Sequence, residues 1–61
     1  MKTISTVEWT VLPSGRVELY FLNHVTGADR YQIYKTVRAA KIAETKFHNR
    51  MNRVYGHLVD S

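Results

Sequence analysis

Two stretches near the start of the chain alternate between apolar and polar residues with a period of two. They cover residues 3–12 and 16–24, and this period is typical of half-buried β-strands. The segment Pro13-Ser14-Gly15 between them carries residues that favour a turn. A hairpin folded about Ser14 brings the apolar residues of both strands to one face, which supports this pairing. The predicted pairs are Val11 with Val17, Trp9 with Leu19, and Val7 with Phe21.

The stretch 30–35 has two interpretations. Its aromatic and β-branched residues alternate with polar ones, which favours a strand. The same residues could instead extend the following helix backwards to Asp29. We prefer the strand, because it leaves Thr36 at a position where it can cap the helix. A turn centred on Gly27 then completes a second hairpin. The predicted pairs are Phe21 with Ile33 and Tyr20 with Tyr34.

A helical pattern covers residues 36–55. Apolar residues recur there in steps of three and four, which places them on one stripe of a helix with one buried face. Thr36 is a good N-cap, and Gly56 suits the end of the helix. The stripe consists of Val37, Ala40, Ala43, Phe47, Met51 and Val54.

These elements predict an α+β fold, in which a three-stranded antiparallel β-meander carries one long C-terminal α-helix on one face. A chain of 61 residues forms a single small domain, residues 1–61. The helix stripe is expected to pack on the sheet residues Val7, Trp9, Val11, Val17, Leu19, Phe21 and Ile33. The other face of the sheet is expected to stay open and to carry Thr6, Glu8, Thr10, Arg16, Glu18, Tyr20, Leu22, His24, Arg30, Gln32 and Tyr34.

The net charge of +4 is unevenly distributed along the chain. Residues 1–29 carry two cations and three acids, whereas residues 30–61 carry seven cations and two acids. The basic half suggests a polyanion or an acidic protein surface as the partner. The alternative is a solvated helix face that is kept basic for solubility.

Several classes of protein find no support in the sequence. The chain has no cysteine, which excludes disulfides and thiolate metal sites. No apolar run approaches the roughly 18 residues of a membrane span, so we expect a cytoplasmic protein without a membrane partner. Glu44 and His48 lie four residues apart, but no third ligand follows at a metal-site spacing. Since there is also no glycine elbow for a nucleophile, we expect neither an enzyme nor a bound metal or cofactor.

The order of strands, glycine turns and helix is similar to the arm-site DNA-binding domains of phage tyrosine integrases. The resemblance spans roughly residues 6–50 and rests on Gly15, on Thr26-Gly27, and on Lys35-Thr36 before an alanine-rich helix start. In that family the three-stranded sheet enters the DNA major groove. The resemblance therefore implies base or phosphate contacts by Arg16, Tyr20, Arg30, Gln32 and Tyr34.

Two functions fit the sequence. The first is a small basic DNA-binding regulatory protein, whose helix cations contact phosphates and whose open sheet face could contact bases. Those cations are Arg38, Lys46, Arg50 and Arg53. The second is a small phage-type interaction protein that binds and inhibits or modulates a larger host protein. A homodimer is also expected, formed either through the open sheet face or around Ile42 on the helix.

Overall fold

The alternating stretches form strands and the stripe of apolar residues forms a helix, as the sequence predicts. The computed structural model of the protein describes residues 3–58. Its elements are β1 (Ser5–Val11), β2 (Val17–Asn23), β3 (Asp29–Tyr34), α1 (Val37–Tyr55) and a 3-10 turn over Gly56–Leu58. The strands form one antiparallel sheet in the order β1-β2-β3, and α1 packs on one face of it. The α+β fold is confirmed, and the strand is the correct interpretation of residues 30–35.

The register of the first hairpin is also confirmed. Val11 pairs with Val17, and the other predicted pairs follow in step along β1 and β2. Gly15 has a φ of 90°, which a glycine adopts without steric cost. Its backbone N–H donates to the carbonyl of Leu12 at 2.9 Å, and the N–H of Leu12 donates to the carbonyl of Arg16 at 2.8 Å. These bonds close the turn at the position that the sequence predicts.

The predicted register of the second hairpin is wrong. Tyr20 pairs with Tyr31 rather than Tyr34, and Phe21 pairs with Arg30 rather than Ile33. A slip by an odd number of residues moves every β3 side chain to the opposite face of the sheet. Ile33 consequently leaves the core and lies on the open face, where it is 50% exposed. Tyr34, which was predicted on the open face, instead lies on the helix side and packs against the core.

The cause of this difference is the side chain of Asn23, which starts the second turn. Its side-chain oxygen accepts hydrogen bonds from the backbone N–H groups of Val25 and Thr26, at 2.9 and 3.1 Å. Such a bond fixes a turn at the asparagine. The carbonyl of Asn23 accepts from the N–H of Gly27, and its own N–H donates to the carbonyl of Ala28, both at 2.8 Å. Gly27, with a φ of 81°, therefore ends the turn instead of lying at its centre.

Helix α1 begins and ends as predicted, with Thr36 as its N-cap and Gly56 as its C-cap. Thr36 has an extended backbone, and its hydroxyl oxygen accepts a hydrogen bond from the N–H of Ala39 at 3.1 Å. This is the N-cap geometry. At the other end, Gly56 has a φ of −58° and stays right-handed. The chain thus passes from α1 into the 3-10 turn, without the left-handed glycine that often ends a helix.

The core lies between the central strand and the helix. Because β2 has a neighbour on each side and α1 above it, its inward residues Val17, Leu19 and Phe21 are almost completely buried. Ala40 is fully buried opposite them and lets the helix approach the sheet. The rings of Phe21 and Phe47 meet edge to face, with centroids 4.9 Å apart.

Several core predictions at the ends of elements are wrong. Val11, Val37 and Val54 are exposed, because each lies at the end of its element, where the facing layer covers it incompletely. Ile4 is buried although it is out of phase with the alternation of β1. It precedes that strand, and its carbonyl accepts a hydrogen bond from the N–H of His24 at 3.0 Å.

Candidate functional site

One flank of α1 carries a row of cations. Lys46, Arg50 and Arg53 line a shallow depression together with Asn49. Residues three and four positions apart are neighbours on a helix surface, so these three side chains lie next to one another. All three are exposed. The row is a surface on which several anionic groups can be neutralised at once.

A cavity of about 280 Å³ opens between β3 and the C-terminal half of α1. Its walls are mainly apolar, and the Phe21 and Phe47 rings form part of them. The remaining apolar residues of the lining are Ala28, Met51 and Val54, and the polar ones are Asn23, Asp29, Arg30, Arg50 and Tyr55.

Two arginines from different elements meet at this cavity. The guanidinium carbon of Arg30 lies over the Phe21 ring, 5.2 Å from its centroid, a geometry in which the ring attracts the cation. Arg30 reaches this position because the observed register, which differs from the predicted one by three residues, places it on the helix side of the sheet. Arg50 lines both the cavity and the helix depression. Arg50 therefore joins Arg30 to Lys46 and Arg53, and we call these four residues the basic tract.

The open face of the sheet is acidic. Directly paired residues of antiparallel strands project to the same side, which assigns the members of this face from the observed register. They are Thr6, Glu8, Thr10, Glu18, Tyr20, Leu22, Asp29, Tyr31 and Ile33. Three of these strand residues are acids, and none of those named is Lys or Arg. The open face and the basic tract thus lie on opposite sides of the sheet and differ in sign.

Tyrosines and an aspartate interact at the centre of the open face. The Tyr20 hydroxyl donates a hydrogen bond to the Asp29 carboxylate at 2.9 Å, and the Tyr20 and Tyr31 ring centroids are 4.9 Å apart. This hydrogen bond is the main reason why the pKa of Tyr20 is raised above its usual value. Loss of solvation and the negative charge of Asp29 and other neighbours act in the same direction.

The five sheet residues that the resemblance singles out do not share one surface. Tyr20 lies on the open face, whereas Arg30, Gln32 and Tyr34 lie on the helix side of β3. Arg16 lies in the turn that precedes β2, where it is exposed. Their predicted placement on one open face is wrong for the three β3 residues, because the second hairpin has a different register.

Three of the four predicted helix cations belong to the basic tract. The fourth, Arg38, is exposed near the start of α1 and lines neither the cavity nor the helix depression. Twelve positions separate it from Arg50, which corresponds to about 18 Å along a helix. The structure thus divides the helix cations into a contiguous group and a distant one.

Glu44 and His48 both contact the first strand. The indole N–H of Trp9 donates to the Glu44 carboxylate at 3.1 Å, and the Ser5 hydroxyl shares a hydrogen bond of 2.6 Å with Nδ1 of His48. Trp9 is half-buried against the core, in line with its predicted inward position. Within residues 3–58, no three His, Cys, Asp or Glu side chains are grouped so that they could hold a metal ion. The helical part of the chain that the structure describes contains no segment long and apolar enough to cross a membrane.

Comparison of the chain with protein-family models, with curated proteins and with solved structures finds no match. The resemblance to integrase arm-site domains therefore stays a prediction. The face that this resemblance would turn towards the DNA major groove carries Glu8, Glu18 and Asp29.

The cavity and the exposed apolar residues of β3 do not follow from the sequence analysis. Both depend on the register that Asn23 sets, since this register exposes Tyr31 and Ile33 and brings Arg30 to the helix side. The available signal is Asn23, which lies one residue before the end of the second alternating stretch and precedes Thr26-Gly27 by three residues. An asparagine there favours a turn that begins one residue after the strand.

Proposed function

We propose that the protein binds nucleic acid through the basic tract, with the open face of the sheet turned away from the ligand. The observation that carries this proposal is the position of Arg50. It lines both the cavity and the helix depression, and so joins cations from β3 and α1 into one surface. A contiguous group of cations on two rigid elements suits a regularly charged polyanion. Contacts of this kind position the protein on the backbone and carry little sequence information.

The acidic face favours one orientation of the ligand. Glu8, Glu18 and Asp29 repel phosphates, whereas the basic tract attracts them. A polyanion is therefore drawn to the side of the sheet that carries the helix. The proposal accordingly differs from the sheet-in-groove arrangement that the family resemblance implies.

The test is the salt dependence of binding to a mixed-sequence duplex. Each phosphate contact releases condensed counterions, so that four contacts give a slope of log affinity on log salt near −4, at about −0.9 per contact. Arg50→Gln should make the slope shallower by about one unit. Titration from about 50 mM salt upward, followed by fluorescence anisotropy of a labelled duplex, measures both values.

Arg38→Gln is the matched control, because it removes the same charge about 18 Å further along the same helix. That distance exceeds the Debye length of about 10 Å at 0.1 M salt, so this variant should keep nearly the full slope. If both variants reduced the salt slope equally, binding would respond to net charge alone. That result would contradict a specific role of the basic tract. Absence of binding to both duplex and single-stranded nucleic acid at about 50 mM salt would contradict the proposed function as a whole.

A second candidate function is protein binding through the open face. The observation that favours it is the exposure of Tyr31, at 65%, and Ile33, at 50%, beside Tyr20 and Leu22. Tyrosines and apolar side chains within a polar surround are common in protein interfaces. The partner is either a second copy of the chain or a larger protein that the small domain modulates. The two candidate functions use opposite sides of the sheet and do not exclude each other.

A further inference from the structure

We infer that the cavity between β3 and α1 holds one unstacked base of a single-stranded nucleic acid, and that the protein prefers single strands to duplexes. This inference rests on the proposed function and adds to it the kind of nucleic acid and the place of one base. It concerns the cavity of about 280 Å³ that Arg30 and Arg50 border.

The size and lining of the cavity suit a single flat ring. Its volume lies just below the range of about 300–1,000 Å³ that is typical of ligand pockets, which leaves room for one ring system and not for a dinucleotide. Phe21, Phe47 and Met51 provide an apolar and partly aromatic wall. Phe21 and Met51 are almost completely buried, so the half-buried Phe47 ring is the aromatic surface that can stack on a base. Aromatic side chains stack on bases of any sequence, since every base has a π-face. Tyr55 adds a polar group for the base edges, whereas the side-chain oxygen of Asn23 is already bonded within the second turn.

The two arginines are placed for the sugar-phosphate chain on either side of such a base. Arg30 stands on β3 and Arg50 on α1, so the cavity lies between two cations from opposite walls. The Phe21 ring holds the Arg30 guanidinium in place, and a guanidinium plane is itself a surface on which bases stack. From Arg50, the strand can continue along Lys46 and Arg53.

Asp29 also borders the cavity, but its carboxylate is directed to the other side of the sheet. It accepts the hydrogen bond of Tyr20, a residue of the open face. The acid is therefore held away from a phosphate bound between Arg30 and Arg50. A base within a duplex would reach the cavity only after flipping out of the stack, which costs unpairing and unstacking energy. This cost is the physical reason for a preference for single strands.

The first experiment compares a short oligothymidylate with an abasic strand of the same length, which has the same phosphates and no bases. The wild-type protein should bind the thymidylate about tenfold more tightly, as expected for one well-stacked base. The salt slopes should be equal, because the phosphate contacts are the same. Equal affinity for the two strands would overturn the inference.

The second experiment fills the cavity. Val54 lines it and is 49% exposed, so Val54→Trp should occupy the space without displacing the core. The control is Val37→Trp, since Val37 is also 49% exposed but lies at the other end of α1. Val54→Trp should lose the preference for thymidylate over the abasic strand and keep its affinity for the duplex. Val37→Trp should behave like the wild type in both assays, and circular dichroism melting checks that both variants fold.

The remaining outcomes separate this inference from the proposed function. Duplex binding with an unchanged thymidylate preference in Val54→Trp overturns the cavity site and leaves the proposed function in place. Failure to bind either nucleic acid removes both. The inference would also be overturned if the wild type bound a peptide of alternating Glu and Phe residues but no thymidylate, and if Val54→Trp weakened this peptide binding. That result would assign the cavity to a protein segment.

Discussion

At the scale of single residues, the side chains of Tyr20 and Asp29 connect neighbouring strands on the open face. Tyr20 belongs to β2 and Asp29 is the first residue of β3, so their hydrogen bond joins the two strands beside the second turn. Tyr31 stacks at a tilt against the Tyr20 ring, and cross-strand pairs of this type stabilise a sheet. The Tyr20 hydroxyl must stay protonated for this arrangement to persist.

We expect Tyr20 to ionise above pH 10, its ordinary pKa, because the neutral hydroxyl donates to Asp29. A raised pKa in the folded state stabilises the fold below the unfolded pKa, and this contribution is lost as the pH rises through the raised value. The ultraviolet titration curve of the wild type minus that of Tyr20→Phe isolates this residue. Asp29→Asn should bring the midpoint back towards the ordinary pKa. A difference curve with its midpoint at or below pH 10 would show that the hydrogen bond is not maintained in solution.

At the scale of elements, the two hairpins show what the sequence can and cannot predict. The first register followed from alternation on both strands and from Pro13 to Gly15, and it is confirmed. In the second, β3 is an edge strand whose residues are nearly all exposed on both faces. A hydrophobic pattern fixes the register only when one face is buried, so here the turn decides it. Asn23 therefore determines which residues of β3 face the helix.

We expect Asn23→Ala to lower the free energy of unfolding by about 1–2 kcal/mol, because it removes two side-chain hydrogen bonds to backbone N–H groups. Urea denaturation followed by circular dichroism measures the change. Asn49→Ala is the control, since Asn49 is exposed on α1 and lies outside the turn; because Ala has the higher helix propensity, this variant should be as stable as the wild type or slightly more stable. If the two variants were equally stable, Asn23 would not be the residue that fixes the second turn.

The candidate site illustrates the same limit. The helix cations of the basic tract were predictable, because their spacing along α1 follows from helical geometry. Their connection with Arg30 was not, since it depends on which face of β3 this residue occupies. The cavity likewise requires the edge strand and the end of the helix to lie side by side. Long-range proximity of this kind has no signature in a single short sequence.

At the scale of the whole molecule, the sheet and the helix form two layers, with acidic residues on the outer side of the sheet and the basic tract on the side of the helix. The principal extents are 39 × 19 × 14 Å, and the radius of gyration is 12.5 Å. A compact domain of this length would have a radius of gyration of about 10.5 Å, so the molecule is elongated. One side of the sheet faces solvent with its acids and exposed apolar residues, and the other side carries the helix with the basic tract.

This arrangement gives an opposite salt dependence to the two candidate functions. A homodimer through the open face brings Glu8, Glu18 and Asp29 of both copies together. Their repulsion is screened as the Debye length falls from about 10 Å at 0.1 M to about 3 Å at 1 M salt. We therefore expect the dimer fraction in sedimentation equilibrium to rise with salt, whereas nucleic-acid binding weakens.

Ile33→Ser tests whether the open face forms that dimer. Ile42→Ser is a matched control, because both isoleucines are 50% exposed and Ile42 lies on the helix. Ile33→Ser should reduce association at high salt, and Ile42→Ser should leave it unchanged. A wild-type protein that stays monomeric at every salt concentration would contradict dimerisation, and a larger effect of Ile42→Ser would move the contact to α1.

The contact between Trp9 and Glu44 has a practical consequence for studies of this protein in solution. Trp9 is the single tryptophan of the chain, and its indole lies where β1 meets α1, with its N–H bonded to the helix. The intrinsic fluorescence therefore reports on the junction between the two layers. Departure of the helix would shift the emission to longer wavelengths even while the strands stay paired. Fluorescence and far-ultraviolet circular dichroism, recorded on one sample, can thus distinguish undocking of the helix from unfolding of the sheet.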